Sequence, residues 1–349
     1  MSSLKEYAQQ LDAPDETERI YAAEDIGYLN DPVGVPVLLE RLGMESSRAV
    51  RDVIFQALIR IDADASIEGS IRLLGSEDPQ IRNQAVDVLR NKGTQCIPFL
   101  NTSMRNGDKN VRKLILDILC GIRASGTEEI YSAALSDQDQ NVVITAVENL
   151  GKIRAKEFRC QIEGLLQPGA HPMLISACLE ALAGIGNESS LASIRGCRSK
   201  FATQPDFQFA SYLKAIAALG SAREFAEVES LMAVCGSHLR PAILSTLIAI
   251  HARCPSLEAS ESLLSELRMI IERGDPPQCR HQAVRVLGIW SSRKDVFAIL
   301  VSCLSSTERL VRLAAAEAIR MSERPELERV LAAHAREETD EEVLEALSC

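Results

Sequence analysis

Apolar residues recur along this chain with a helical spacing and a second, longer period near 31 residues. The segments Asp78-Pro79-Gln80-Ile81-Arg82-Asn83-Gln84-Ala85, Asp108-Lys109-Asn110-Val111-Arg112, Asp139-Gln140-Asn141-Val142-Val143 and Glu308-Arg309-Leu310-Val311-Arg312-Leu313-Ala314-Ala315 share one frame. With the arginine as anchor, equivalent positions fall at Arg19, Arg51, Arg82, Arg112, Val143, Ile175, Tyr212, Arg240, Arg280, Arg312 and Leu344. The first five steps are 32, 31, 30, 31 and 32 residues. Three residues after each anchor, up to Arg312, stand Ala22, Ile54, Ala85, Ile115, Ala146, Cys178, Ala215, Ile243, Ala283 and Ala315. Seven after it stand Ile26, Leu58, Leu89, Leu119, Leu150, Leu182, Leu219, Leu247, Leu287 and Ile319. Offsets of three and seven put both columns on one stripe of a helix.

The aspartate four residues ahead of the anchor (Asp15, Asp78, Asp108, Asp139) has the chemistry of an N-cap, so the anchor helix begins there. Another helical stretch precedes each cap, for example Pro36 to Leu42 before the turn at Glu45 to Ser47. Each unit is therefore a helical hairpin. One hairpin cannot cover its own leucines, and a buried leucine stabilises by about 1.5–3 kcal/mol only when fully covered. Neighbouring hairpins must stack to supply that cover. Glycines after the apolar column (Gly27, Gly151, Gly220, Gly288) suit close helix packing.

The repeat resembles the HEAT family, including its bilin-lyase-like subset, whose second helix carries Asp-x-x-Val-Arg-x-x-Ala-x-x-x-Leu-Gly. Asp108 to Leu119 matches that pattern closely. The resemblance implies an all-α fold: one α-solenoid of about eleven hairpins over residues 1–349. Regular repeats would occupy 1–186 and 279–349, with irregular ones over 187–278. It also implies an Asp/Arg ladder between repeats, which Asp78, Arg82, Asp108 and Arg112 suit, with a break where Val143, Ile175 and Tyr212 replace arginine. Extra length falls near Arg198 to Phe209 and near Cys254 to Gln278.

Composition narrows the function. A formal net charge of −11 opposes nucleic-acid binding, which needs clustered Lys and Arg against phosphates. Ten scattered cysteines without a Cys-x-x-Cys pair point to reduced thiols in a cytoplasmic protein. No stretch has the length and apolarity of a membrane span. The five histidines form no paired His-Glu motif of the kind by which HEAT-like deoxyhypusine hydroxylases hold iron; no metal and no cofactor are expected. Cys178 and Cys279 fall in or beside apolar columns, as core fillers do. No phosphate-binding loop, nucleophile elbow or dinucleotide fingerprint occurs.

Five residues after the anchor stand Glu24, Gln56, Asp87, Asp117, Glu148 and Glu180. In a HEAT-like stack this position lines the concave face, so the carboxylates form a stripe able to receive a basic segment of a partner. The alternative is a merely solvated face: at helix spacings near 10 Å, like charges in water repel by only about 0.4 kcal/mol. Phe201, Phe207 and Phe209 cluster beside Pro205, and Trp290 follows the Arg280 helix. Exposed, these rings would dock a partner; buried, they would plug gaps in the stack. The sequence thus predicts a non-catalytic scaffold or adaptor that binds protein, with a bilin-lyase-like enzyme or chromophore chaperone as the alternative. The acidic last repeat has nine acidic residues against three arginines from Ser322 to Cys349 and stops before completing a repeat, which suggests an engineered end, an uncapped edge or a contact surface covered by another chain.

Overall fold

The computed structural model describes residues 4–197, 206–273 and 275–348. Among them every regular element is a helix, and their order is hairpin after hairpin. Contacts divide the chain into two compact units, Met1–Ile162 and Glu163–Cys349.

The first unit opens with helix Leu4–Gln10 followed by Glu16–Leu29. Its next hairpins are Gly34–Met44 with Arg48–Arg60, Asp64–Leu73 with Pro79–Lys92, Ile97–Asn106 with Lys109–Ile122, and Glu128–Ala134 with Gln140–Ile153. The short helix Arg159–Leu165 spans the division. In the second unit follow Pro172–Ile185, Ser190–Gly196 with Asp206–Leu219, and Ala222–Leu231 with Arg240–Arg253. Then come Glu261–Glu272 with Pro277–Gly288, Lys294–Cys303 with Arg309–Arg320, and Leu327–Ala335 with Glu341–Leu347.

The caps form as their chemistry dictates. The Asp15 carboxylate accepts from the backbone N–H groups of Thr17 and Glu18, Asp108 from those of Asn110 and Val111, Asp78 from Gln80 and Asp139 from Asn141. Each satisfies first-turn donors that no helical carbonyl can reach. Asn30, Arg123 and Arg154 close their helices in the left-handed conformation, at φ 52°, 52° and 59°. That geometry frees the chain to turn into the next hairpin, at some steric cost for an arginine.

The core follows the two columns with one shift of register. Ala22, Ile54, Ala85, Ile115, Ala146, Cys178, Ile243, Ala283 and Ala315 are sealed from solvent. So are Ile26, Leu58, Leu89, Leu150, Leu182, Leu247, Leu287 and Ile319, with Leu119 nearly so. The exception is Leu219, which is only partly buried. In the helix Asp206–Leu219 the sealed positions are Tyr212, Leu213, Ala215 and Ile216, so the anchor there is Phe209 rather than Tyr212. Measured from Phe209, the steps from Ile175 and to Arg240 become 34 and 31 residues, and most of the apparent irregularity disappears. A phenylalanine at an anchor position hid the frame.

The long step from Arg240 to Arg280 remains. Its extra residues form the loop Cys254–Ala259, ahead of helix Glu261–Glu272 capped by Ser260. Trp290 pins this loop by donating from its indole Nε1 to the Leu257 carbonyl at 2.9 Å. Its ring meets Phe225 and His251 edge-on, at 6.3 and 5.4 Å between centroids.

Two glycines show how closely second helices approach. A Cβ on Gly27 would lie 2.8 Å from the Ala57 Cα, and one on Gly288 would lie 2.7 Å from the Ala318 Cβ. In both cases the glycine is eight residues after its anchor and the alanine six after the next one. Successive second helices therefore run parallel at matching height.

Candidate functional site

The carboxylates predicted to line a stripe stand on the solvent-facing side of these second helices, at the same offset from the anchor in each repeat. In the first unit Asp87 and Glu148 are exposed, and Glu24 and Asp117 half-buried. The Asp87 carboxylate lies 3.8 Å from the Arg90 guanidinium, a loose pair one turn apart. Asp117 accepts from the Asn149 amide at 3.0 Å, and its carbonyl from Arg90 at 3.2 Å. Glu24 and Glu148 make no ion pair among the described residues. In the second unit Glu180 accepts from Lys214 at 3.1 Å and from the Ser211 hydroxyl at 3.1 Å. Lys214 is five residues after Phe209, so with the frame corrected the acidic column meets a base at this repeat.

Asp117 also helps to wall a groove of about 560 Å³ in the first unit, together with Glu77, Arg82, Asp108 and Lys113. Both signs of charge face this groove.

The aromatic candidates separate. Phe207 is 43% exposed, whereas Phe209 and Trp290 are only 6% and 7% exposed. Phe209 stacks on Tyr212, and Trp290 is held by the loop bond described above. Buried rings present nothing to a partner's surface, so Phe209 and Trp290 serve the core and leave the docking candidates. Phe201 lies outside the described residues.

The anchor arginines form a ladder, but mostly on different acids from those expected. Arg19 reaches forward to Glu45, with Nε to Oε2 at 2.9 Å and Nη2 to Oε1 at 3.3 Å. Arg112 holds Asp137 in a fork at 2.7 and 2.8 Å, and Arg312 holds Glu338 at 2.7 and 2.9 Å. Each of these acids is six residues ahead of the next anchor. Each also accepts the backbone N–H two residues on, from Ser47, Asp139 or Asp340. The capping aspartate itself serves as the rung only for Arg51, which reaches Asp78 at 3.0 Å. Arg240 uses Asp275 at 2.5 Å and Arg280 uses Glu308 at 2.6 Å. Among the described residues Arg82 finds no carboxylate and bonds the Ser76 and Glu77 carbonyls of its own turn, because Asn106 occupies the place of the acid. Asp108 caps its helix without joining the ladder.

These acids titrate accordingly. Burial acts to raise the Glu45 pKa, but hydrogen bonds from Arg19, the Ser47 N–H and Arg41 outweigh it and hold the group at about 2. The Arg312 fork, the largest influence on Glu338, likewise holds that carboxyl at about 2. The cysteines go the other way: burial pushes Cys178 up to about 12, and Cys96 and Cys303 up to about 11, so these thiols stay protonated.

Residue-type reasoning passed over two exposed tyrosines, Tyr21 and Tyr28, which flank Glu24 on its own helix. The Arg60 guanidinium lies over the Tyr28 ring, 4.0 Å from its centroid. The available signal was their seven-residue spacing on the polar side of an anchor helix. Among the described residues no three His, Cys, Asp or Glu side chains gather in a way that could hold a metal ion, and no helix is long and apolar enough to cross a membrane.

No curated protein matches the sequence. Among solved structures, Kap121p bound to Pho4p is similar at 14% identity and TM-score 0.58, over 99% of this chain and 45% of that one. Kap95p, in a structure concerning the switch loops of RanGDP, is similar at 12% identity and TM-score 0.61, over 99% and 55%. Kap95 in complex with Nup1 gives 13% identity and TM-score 0.58, over 98% and 50%. This chain thus spans about half the length of these proteins, and at such identities the likeness speaks for the α-solenoid fold alone. Residues 4–90 and 264–348 match the family of HEAT repeats. The arginine-anchored hairpins, their sealed apolar columns and this match together identify HEAT repeats over residues 4–90 and 264–348.

Proposed function

We propose that this protein is a scaffold or adaptor that binds a protein partner on the face of its second helices, through a basic segment of that partner. The observation that carries the reading is the acidic row of the first unit. Glu24, Asp87, Asp117 and Glu148 recur at one offset on parallel helices, each at least partly open to solvent. Such a row repeats with the height of a hairpin and presents charge along a line, which suits an extended chain. The similar solved structures fit this use, since Kap121p is seen bound to Pho4p and to Nup53p, and Kap95 to Nup1. A net charge of −11 favours a basic partner and speeds its encounter.

The test begins with affinity purification and mass spectrometry to obtain a partner, followed by titration of wild type and of the triple variant Asp87→Lys, Asp117→Lys, Glu148→Lys. Loss of three favourable charges and gain of three unfavourable ones should weaken binding by about tenfold or more and flatten its salt dependence. The melting temperature should fall only slightly, because Asp87 and Glu148 are exposed and the native contacts given up are the loose Asp87 pair with Arg90 and the hydrogen bond that half-buried Asp117 accepts from Asn149. A partner retained with the same affinity and salt dependence would remove the row as the site.

A further inference from the structure

On the helix Glu16–Leu29, Tyr21 and Tyr28 are 62% and 63% exposed. They are two turns apart on one stripe, with Glu24 one turn from each. Exposed tyrosines in this register offer flat ring faces to solvent on the polar side of the helix, which a charged residue would not. The molecule itself illustrates one use. Arg60, nine residues after its anchor as Tyr28 is after its own, lays its guanidinium 4.0 Å above the centre of the Tyr28 ring. The negative face of a tyrosine ring attracts that planar cation, and the flat guanidinium can stack where an ammonium cannot. Tyr21 has the same exposure and the same helix face, but among the described residues no cation covers it. At the equivalent height of the next helix stands the half-buried Val53. Glu24, one turn away, makes no ion pair among the described residues either. A ring face and a carboxylate thus lie side by side in an acidic surface, each fit for the same kind of side chain.

We propose that Tyr21 and Glu24 form the anchor of the docking face and take an arginine of the partner's basic segment, with its guanidinium stacked on Tyr21 and paired to Glu24, as Arg60 is stacked on Tyr28. This rests on the reading of the second-helix face as a docking surface and names the side chain that face selects. Arginine is favoured over lysine because stacking and carboxylate pairing can be made together only by a planar, multidentate cation.

The full chain is titrated with fluorescein-labelled oligoarginine, oligolysine and oligoglutamate peptides of equal length, read by anisotropy at two salt concentrations. Oligoarginine should bind more tightly than oligolysine, and oligoglutamate not at all. Tyr21→Ala should weaken oligoarginine binding by about three- to fivefold and narrow its advantage over oligolysine. Tyr21→Phe, which keeps the ring, should bind as wild type does. Glu24→Gln should weaken both cationic peptides and reduce the salt dependence. Circular dichroism should find all these variants as helical as wild type, since neither side chain is in the core. If Tyr21→Ala binds oligoarginine as wild type does, or if lysine does as well as arginine, the anchor is overturned. In that case weaker binding by the Asp87, Asp117, Glu148 triple variant leaves the docking reading standing. Loss with Tyr21→Ala but not with the triple variant keeps the anchor and removes the extended row. If sedimentation velocity instead finds a wild-type dimer that Tyr21→Ala abolishes, a second copy of the chain occupies the surface and the arginine proposal falls.

Discussion

The repeats at Arg19 and Arg112 in the first unit and those at Ile175 and Phe209 in the second join to their neighbours by different physics. In the former a guanidinium crosses to an acid in the next turn, buried Glu45 or half-buried Asp137, and the second helix stays half-solvated: only five of the fourteen residues of Glu16–Leu29 are buried. In the latter the anchors are apolar, and nine of the fourteen residues of Pro172–Ile185 are buried. The Ser176 and Ser211 hydroxyls meet there at 2.5 Å, and the Gln208 amide donates to the Pro172 carbonyl at 3.1 Å. One kind of joint depends on a few strong, directional bonds, and the other on area and small groups. Neither kind of joint fixes the spacing of the chain: the step of 34 residues occurs at the apolar joint, and the Arg240–Asp275 pair spans the longer step of 40 residues to Arg280.

The comparison can be broken most severely at the core the two joints share. Leu89→Asp in the first unit and Leu182→Asp in the second each put an unpaired charge at a sealed position, and should cost more than about 4 kcal/mol. Hydrogen exchange should find the opened helices close to each substitution; retained protection and an unchanged melting point would contradict the assigned columns. Next in size is Glu45→Gln, which removes the charge that Arg19 and Arg41 both address and should cost about 3 kcal/mol by chemical denaturation. Glutamine at the apolar joint's exposed acid, Glu180→Gln, should cost less than about 1 kcal/mol, because Lys214 and Glu180 pair in water.

Acid gives the same contrast without substitution. Glu45 and Glu338 have folded pKa values of about 2, below the ordinary 4.5. A depressed folded pKa means that their stabilisation is complete above the ordinary value and is lost as pH falls toward 2. Stability should therefore decline between about pH 4.5 and 2, and the decline should be shallower in Glu45→Gln. An equal slope in both proteins would mean that the rung contributes nothing there.

Two further substitutions act on helix packing and on the ladder. Gly27→Val should cost about 2 kcal/mol, since its side chain would meet the Ala57 backbone and push parallel helices apart. The smallest change is a gain: Asn106→Asp supplies the acid that Arg82 lacks and should add up to about 1 kcal/mol, visible as a raised melting temperature. No gain would mean that the carbonyls of its own turn already satisfy Arg82.

Much of this was legible in the residues, for a simple reason. A stack of hairpins repeats one environment many times, so Leu58, Leu89 and Leu150 report the same buried position and their agreement exposes the frame. The capping aspartates were legible as well, because a cap acts over three residues of local chain. The frame failed at Tyr212, where both candidate anchors, Phe209 and Tyr212, are aromatic and only burial distinguishes them. The ladder acids at Glu45, Asp137 and Glu338 were missed because a family pattern directed attention to the cap two residues later. The aromatic candidates were mixed because exposure of a ring depends on what lies above it, which residue type does not record.

The linear order of side chains, by itself, determined an all-helical chain, its hairpin period, its helix starts and its sealed columns, since these follow from local hydrogen bonding and from a periodicity that every repeat reinforces. Packing in three dimensions sets which acid each arginine grips, that Phe209 and Trp290 face inward, and that Arg60 covers Tyr28 while Tyr21 stays open. Those outcomes depend on distances between atoms about thirty residues apart in the chain, set by how one hairpin packs against the next.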